Sequence, residues 1–375
     1  MSATRLGDRP LSLYDWRLLM RAFALLLGVG AAFLTGGAGP AGSSSDVGTS
    51  GSWVATDLGN LGRAGVTVAD INDHGQVVGQ VRTARGGSRG FVWRNGLMRE
   101  LGQPLYAGAW RINERGQIIG TSSSASDREQ HAVTWENGKM IDLPPLGSVT
   151  AINERGQILG YFGSTAVIWE NGKMRDLFAG GGASAINNRG QVVGGTKDGR
   201  ALVWQNGRIT SLGPGEAIDI NERGEVVGQR DGRVVVWRKG TTIDLGPGTA
   251  VAINDSGQVI GVRGPPGGRF HAFLWQRGIM TDLGTLGGRW SFPTAISNRG
   301  QVVGYSLSRS GVQHAFLWHG GTMIELSSPK GNARTRAIAI NENNQIIGDN
   351  CLDDCGRRAP RFRSRFAVIW TLRQN

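Results

Sequence analysis

Ala151-Ile-Asn-Glu-Arg-Gly-Gln-Ile-Leu-Gly160 is one of eight copies of a single phrase, and each copy is followed by a tryptophan. The turn glycine of the phrase recurs at Gly75, Gly116, Gly156, Gly190, Gly224, Gly257 and Gly300, with Asn344 in the eighth copy. The steps are 41, 40, 34, 34, 33, 43 and 44 residues. Units of this length cannot bury an apolar face alone, so they must stack on one another. A chain of 375 residues with 61 Gly and 12 Trp is therefore expected to be one repeat domain, covering 53–375, and not two or three unrelated ones.

Outward from the phrase, the unit is legible in residues 249–283: Thr-Ala-Val-Ala-Ile, Asn-Asp-Ser-Gly, Gln-Val-Ile-Gly-Val, a loop, His-Ala-Phe-Leu-Trp, Gln-Arg-Gly-Ile, Met-Thr-Asp-Leu-Gly. These read as four short strands, A to D, rich in β-branched and aromatic residues. Asn-x-x-Gly between A and B places an acceptor first and a residue tolerant of positive φ last, as a type I turn with a glycine bulge requires. Asn344 fits that slot, because Asn tolerates the left-handed region best after Gly. Between C and D, Asn95-Gly96, Asn137-Gly138, Asn171-Gly172 and Asn206-Gly207 signal two-residue hairpins.

Four antiparallel strands per unit make the blade of a β-propeller, and eight units predict an eight-bladed, all-β ring. Trp93, Trp135, Trp169, Trp204, Trp237, Trp275, Trp318 and Trp370 end strand C at one register and are expected to form repeat core between blades. Small residues at Ala151, Ala185, Ala252, Ala295 and Ala339 suit the crowded strand nearest the axis. The eighth unit lacks a strand D, whereas the chain offers one without a unit, beginning at Trp53. The N-terminal strand is thus expected to complete the last blade. A β-solenoid is the alternative fold, and it would not need that split.

Residues 1–42 stand outside the repeat as a basic leader with Arg5, Arg9, Arg17 and Arg21, followed by an apolar run, Ala22 to Leu34. They read as a signal peptide. The alternative is an uncleaved anchor over 18–36 on the outer side of a membrane, the one membrane contact expected. A Gly/Ser-rich linker, 43–52, follows. Export makes the Cys351 and Cys355 pair a small disulfide; no metal or cofactor is expected, since no further soft ligands lie near the pair.

The motifs Ile-Asn-x-x-Gly-Gln-Val-Val-Gly, His271-Ala-Phe273-Leu-Trp, His314-Ala-Phe316 and Met-x-Asp-Leu-Gly together resemble the extracellular repeat family named for its His-Ala-Phe triplet. The resemblance covers 53–375 and implies an exported repeat protein, with no catalytic residues to transfer. Thr165, Arg200, Arg233 and Phe366 replace the His in four units, so His chemistry cannot belong to every blade.

Function is expected on the face carrying the B-to-C and D-to-A connections, where length varies: the B-to-C loops are long in units 1, 2, 6, 7 and 8. That arc collects Tyr106, Trp110, Trp290 and Phe292 with Arg63, Arg289 and Arg336. Aromatic plus Arg is the composition of interface anchors. With a net charge of +12, the expectation is an exported, non-catalytic module binding an extracellular glycan, anionic polymer or protein, and acting as a monomer. Nucleic acid is a poor fit, as no nucleic-acid-binding motif is present. The alternatives are a polysaccharide-active hydrolase or lyase, which needs two facing carboxylates, and a structural envelope or matrix protein.

The acids before Leu, at Asp57, Glu100, Asp142, Asp176, Asp244, Asp282 and Glu325, recur by register and read as edge-strand residues. Asp70-Ile-Asn-Asp-His-Gly75 has the look of a calcium loop but lacks the bidentate Glu, so it reads as a repeat turn. Asp70, Arg111 and Asp219 replace the small residue of strand A in units 1, 2 and 5, as an ion pair between blades or as channel lining.

Overall fold

The computed structural model describes residues 52–61, 65–83, 86–102, 106–123, 130–178, 181–264, 268–331, 334–351 and 365–373. The signal-peptide, linker and disulfide readings, and Arg63, lie outside these residues.

Each unit is a four-stranded antiparallel sheet in the order A-B-C-D. Blade 6 is representative, with strands Thr249–Ile253, Val259–Arg263, His271–Gln276 and Ile279–Asp282. Blades 1 and 2 are joined into one longer sheet by a parallel bridge between Ser88 and Tyr106. In blade 8, strands Arg334–Ile340, Ile346–Cys351 and Arg365–Leu372 are completed by Trp53–Asp57 from the other end of the chain. Its register runs from Trp53 opposite Leu372 to Asp57 opposite Val368. This split blade is the architecture of a propeller and not of a solenoid.

The turns have the chemistry their sequence demands. In blade 1, Gly75 N donates to Asn72 O and Asn72 N to Gln76 O, while Asn72 Oδ1 accepts from Gln76 N at 3.0 Å. The supposed calcium loop is thus a repeat turn like the other seven. Gly75 has φ +71°, and Asn344 adopts +59° in the same slot. Asn95, Asn137, Asn171 and Asn206 open the C-to-D turns at φ 50–51°, as a type I′ turn requires.

The glycine that ends Gln-Val-Val-Gly has a steric cause. Strand A carries a bulge in each blade, seen in blade 2 as a register shift between Ala109 and Arg111. The bulge drives a carbonyl at the facing strand B. A Cβ on Gly120 would lie 1.9 Å from Gly108 O and 2.9 Å from the Trp135 ring, so only hydrogen fits.

Among the described residues the core divides into eight hydrophobic clusters, one at each blade-to-blade seam. The cluster between blades 8 and 1 holds Leu58, Val68 and Phe91 with Ile338, Ile347 and Ile369. The first and last blades therefore pack as any other neighbours do. The repeat tryptophans lie at these seams: Trp135 and Trp370 are fully buried, and Trp169 and Trp275 partly so. Trp135 Nε1 donates to Leu101 O at 2.8 Å, which satisfies its one polar atom inside the core.

Candidate functional site: the axial belt

Strand A of each blade ends in the turn Asn-x-x-Gly, so the eight A-to-B turns gather around the axis. The first turn residue is buried in all eight blades, and in seven it is Asn. Its amide reaches the next turn: Asn72 Nδ2 donates to Asn113 O, Asn113 to Asn153 O, and so on through Asn254 to Ser297 O, at 2.9 to 3.1 Å. From blade 8, Asn341 Nδ2 donates to Asn72 O at 3.0 Å. Ser297 is too short to make this bond toward blade 8.

The second turn residue forms a parallel belt. It is Asp73, Glu114, Glu154, Asn188, Glu222, Asp255, Asn298 or Glu342, and each side chain accepts the backbone N–H of the same position in the preceding blade. Glu114 binds Asp73 N with both oxygens, at 3.0 and 2.9 Å. The last bond, Glu342 N to Asp73 Oδ1 at 2.8 Å, joins the end of the chain to its beginning. In the repeat phrase this variable position is an acid or an amide in every copy.

Six of the eight belt residues are carboxylates, half-buried and close enough to repel. Burial pushes Glu114 up to about 7, and the charges of Asp73 and Glu154 add to it against the Asp73 N–H bond and His74. His74 Nδ1 lies 3.2 Å from Glu114 Oε2. Glu222 and Glu342 are raised for the same first reason, burial, with Asp255 adding to both from a blade two seams away from Glu342. Repulsion between non-adjacent blades is what convergence on an axis produces.

Beneath the belt lie the three charged residues of strand A. Asp70 is pushed up to about 6 by burial, opposed chiefly by Arg111 and then by the N–H groups of Ile112 and Ile71. Arg111 is itself lowered by burial and supported by Asp70. Asp219 is buried without such a cation: burial raises it well above the usual carboxylate range against two backbone bonds, from Ile253 and Ile220. Asp70 and Asp219 each bond the next blade's strand A, at Ile112 and Ile253, so their geometry is that of inter-blade connectors. Among the described residues no group of three or more His, Cys, Asp or Glu is arranged to hold a metal ion.

The register-bound acids of strand D pair with strand C. His271 lies 3.0 Å from Asp282, His314 3.1 Å from Glu325, Arg89 3.4 Å from Glu100 and Arg233 2.6 Å from Asp244. The His of the His-Ala-Phe triplet thus occupies a cross-strand register that pairs with the strand D acid, filled by Arg in blades 1 and 5.

The loop-face residues do not assemble into one site. Trp290, Phe292 and Tyr305 pack on each other in blade 7, with ring centres 5.3 to 5.7 Å apart. Trp110, in blade 2, lies over Gly108 and gives its Nε1–H to Thr121 Oγ1 at 3.1 Å. Arg336 Nη2 is 2.9 Å from Asp349 Oδ2. Tyr106 and Arg289 are exposed, on blades 2 and 7.

Fold and belt together define a β-propeller. No family model matches the chain, and no curated protein does. Solved structures that resemble it include the β-propeller domain of the Trilobed protease from Pyrococcus furiosus, 13% identical, with TM-score 0.48 over 70% of this chain and 98% of that one. A puromycin-hydrolyzing peptidase from Mycobacterium tuberculosis is 15% identical, with TM-score 0.45, covering 77% of this chain and 57% of its own. The acylaminoacyl peptidase of Pyrococcus horikoshii is 9% identical, with TM-score 0.47, covering 76% and 57%. This chain spans little more than half the length of those two peptidases. Such identities bear on the fold alone.

The expectation of a glycan- or polyanion-binding module on the loop face is corrected. Four of the residues expected to bind, Trp110, Trp290, Phe292 and Arg336, are engaged within the protein itself. Three of the aromatic rings face one another or the protein's own strands, and Arg336 is neutralised by Asp349.

Proposed function

We propose that this propeller is a peptide-docking module that receives a basic polypeptide segment at the axial mouth of its turn face. The observation that supports this reading is the belt of six carboxylates on a chain of net charge +12. The carboxylates of the belt favour ligands of opposite charge at its centre, against the Arg residues that follow the belt position in five of the turns. Glu222 and Glu342 engage the backbone through Oε1, leaving a second oxygen of each available to a donor. Export directed by residues 1–42, and membership of the His-Ala-Phe repeat family, belong to the same proposal. The eight repeated units support the latter.

The test is fluorescence anisotropy of a labelled oligo-arginine peptide with the purified protein and with a Glu222→Gln, Glu342→Gln variant. Gln can still accept the two backbone bonds, so only charge is removed. Affinity is expected to fall by about tenfold and to lose part of its salt dependence. Equal binding by both proteins, or none by either, would overturn the reading.

A further inference from the structure

The third turn residue is Arg in five blades: Arg115, Arg155, Arg189, Arg223 and Arg299. Where its contacts are defined it covers its seam. Arg155 approaches Arg189 O at 3.5 Å and Glu170 at 3.8 Å, and Arg223 Nη2 lies 2.9 Å from Glu225. In blades 1 and 8 the residue is His74 or Asn343, both shorter. In blade 6 it is Ser256. The surface opens on either side of His74. One cavity, of about 380 Å³, lies between blades 8 and 1; the other, of about 350 Å³, lies between blades 1 and 2. Both fall at the small end of the range of ligand pockets.

The two differ in charge. The second is lined by Arg94 and Arg115 as well as Glu114, which disfavours a cation. The first is lined by Asp73, His74, Asn343, Asn344, Gln345 and Thr371, with no Lys or Arg. Asp73 spends Oδ1 on Glu342 N and keeps its other oxygen. Asn344, present where the other seven units have Gly, has a buried Oδ1 with no hydrogen-bond partner. Leaving such an acceptor buried and unmade is costly, and a donor reaching it from the adjoining cavity would offset that cost.

We propose that the cavity between blades 8 and 1 seats the guanidinium or ammonium end of one basic side chain, with Asp73 supplying the charge and Asn344 Oδ1 an acceptor. This rests on the peptide-docking reading and gives it a subsite. A planar guanidinium with several N–H donors suits two acceptors of this kind better than an ammonium does.

The substitutions that test it have precedents in the repeat. Asp73→Asn keeps an acceptor for Glu342 N, as Asn188 and Asn298 do in blades 4 and 7. Asn344→Gly restores the residue of the other seven turns. Isothermal titration with acetyl-Gly-Arg-Gly-amide, and with its Gln counterpart as control, is expected to show binding of the Arg peptide only. Asp73→Asn should weaken it about tenfold, and Asn344→Gly by about threefold or more. Circular dichroism of both variants should match the parent, showing that the turns remain folded.

Binding of the Arg tripeptide by both variants as tightly as by the parent, or no binding by the parent, would overturn the cavity proposal. If oligo-arginine still responded to Glu222→Gln, Glu342→Gln in that case, the mouth reading would stand without this subsite. The reverse pattern, loss in Asp73→Asn and Asn344→Gly with indifference to the mouth charges, would sustain the subsite and remove the wider mouth.

Discussion

Lys330 Nζ lies 2.7 Å from Asp57 Oδ2, joining a loop late in the chain to the strand that begins the fold. The same ammonium sits 3.3 Å from the centre of the Phe366 ring. Phe366 occupies the register filled by His271 in blade 6 and His314 in blade 7, and Asp57 occupies the register of Asp282 and Glu325. Phe366 brings no polar partner to Asp57, and Lys330 supplies a cation from outside the sheet. Replacing it by Met should cost about 1 kcal/mol, the sum of a partly exposed ion pair and a cation–π contact, and lower the melting temperature by about 1–2 °C. Thermal melts in low and high salt check this, and a loss independent of salt would contradict the ionic part.

Ser297 marks the one seam where the inner belt is not made. Asn fits this register in the seven other turns, so Ser297→Asn is expected to add a bond to Asn341 O and stabilise by about 1 kcal/mol. Asn153→Ala does the opposite. It removes an amide that bridges to Asn187 O and Gln157 Oε1 and leaves buried groups unpaired, at a cost of about 1–3 kcal/mol per group. Urea unfolding of the two variants against the parent reads both signs.

The belt also determines a pH dependence. Glu114, Glu222 and Glu342, with Asp70 and Asp219 beneath, have folded-state values above their ordinary ones. The folded state therefore binds protons that the unfolded chain releases, and stability falls as pH rises through the folded values. For Glu114 that window runs from 4.5 to about 7, and for Asp70 from 3.8 to about 6. Melting temperature should thus be higher near the bottom of that window than above it, and Glu114→Gln should flatten its upper part. A parent protein that gains stability steadily from pH 5 to 8 would contradict the assignment.

The blade was legible because its determinants are local. Asn95-Gly96 and Asn72-x-x-Gly75 specify their turns through the dihedrals of two or three residues, and strand C displays its Trp by alternation. The split of blade 8 followed from counting strands, and Trp53–Asp57 pairs where that count required. Whether aromatic and basic residues of variable loops gather into one surface is not legible in sequence, because it depends on which of them pack on each other. Trp290 and Phe292 turn to Tyr305, a partner that sequence order does not reveal.

What the sequence determined by itself is the repeating four-stranded unit and its number, since turn dihedrals, alternation and period are written within each stretch of about 40 residues. What only the tertiary structure decided is the circuit between units. Asp73 meets Glu114 across 41 positions and Glu342 across 269, and the cavity beside His74 opens where residues from both ends of the repeat meet. Hydrogen bonds and burial act at a few ångströms in space whatever the separation along the chain, so these contacts exist only once all eight blades are set around one axis.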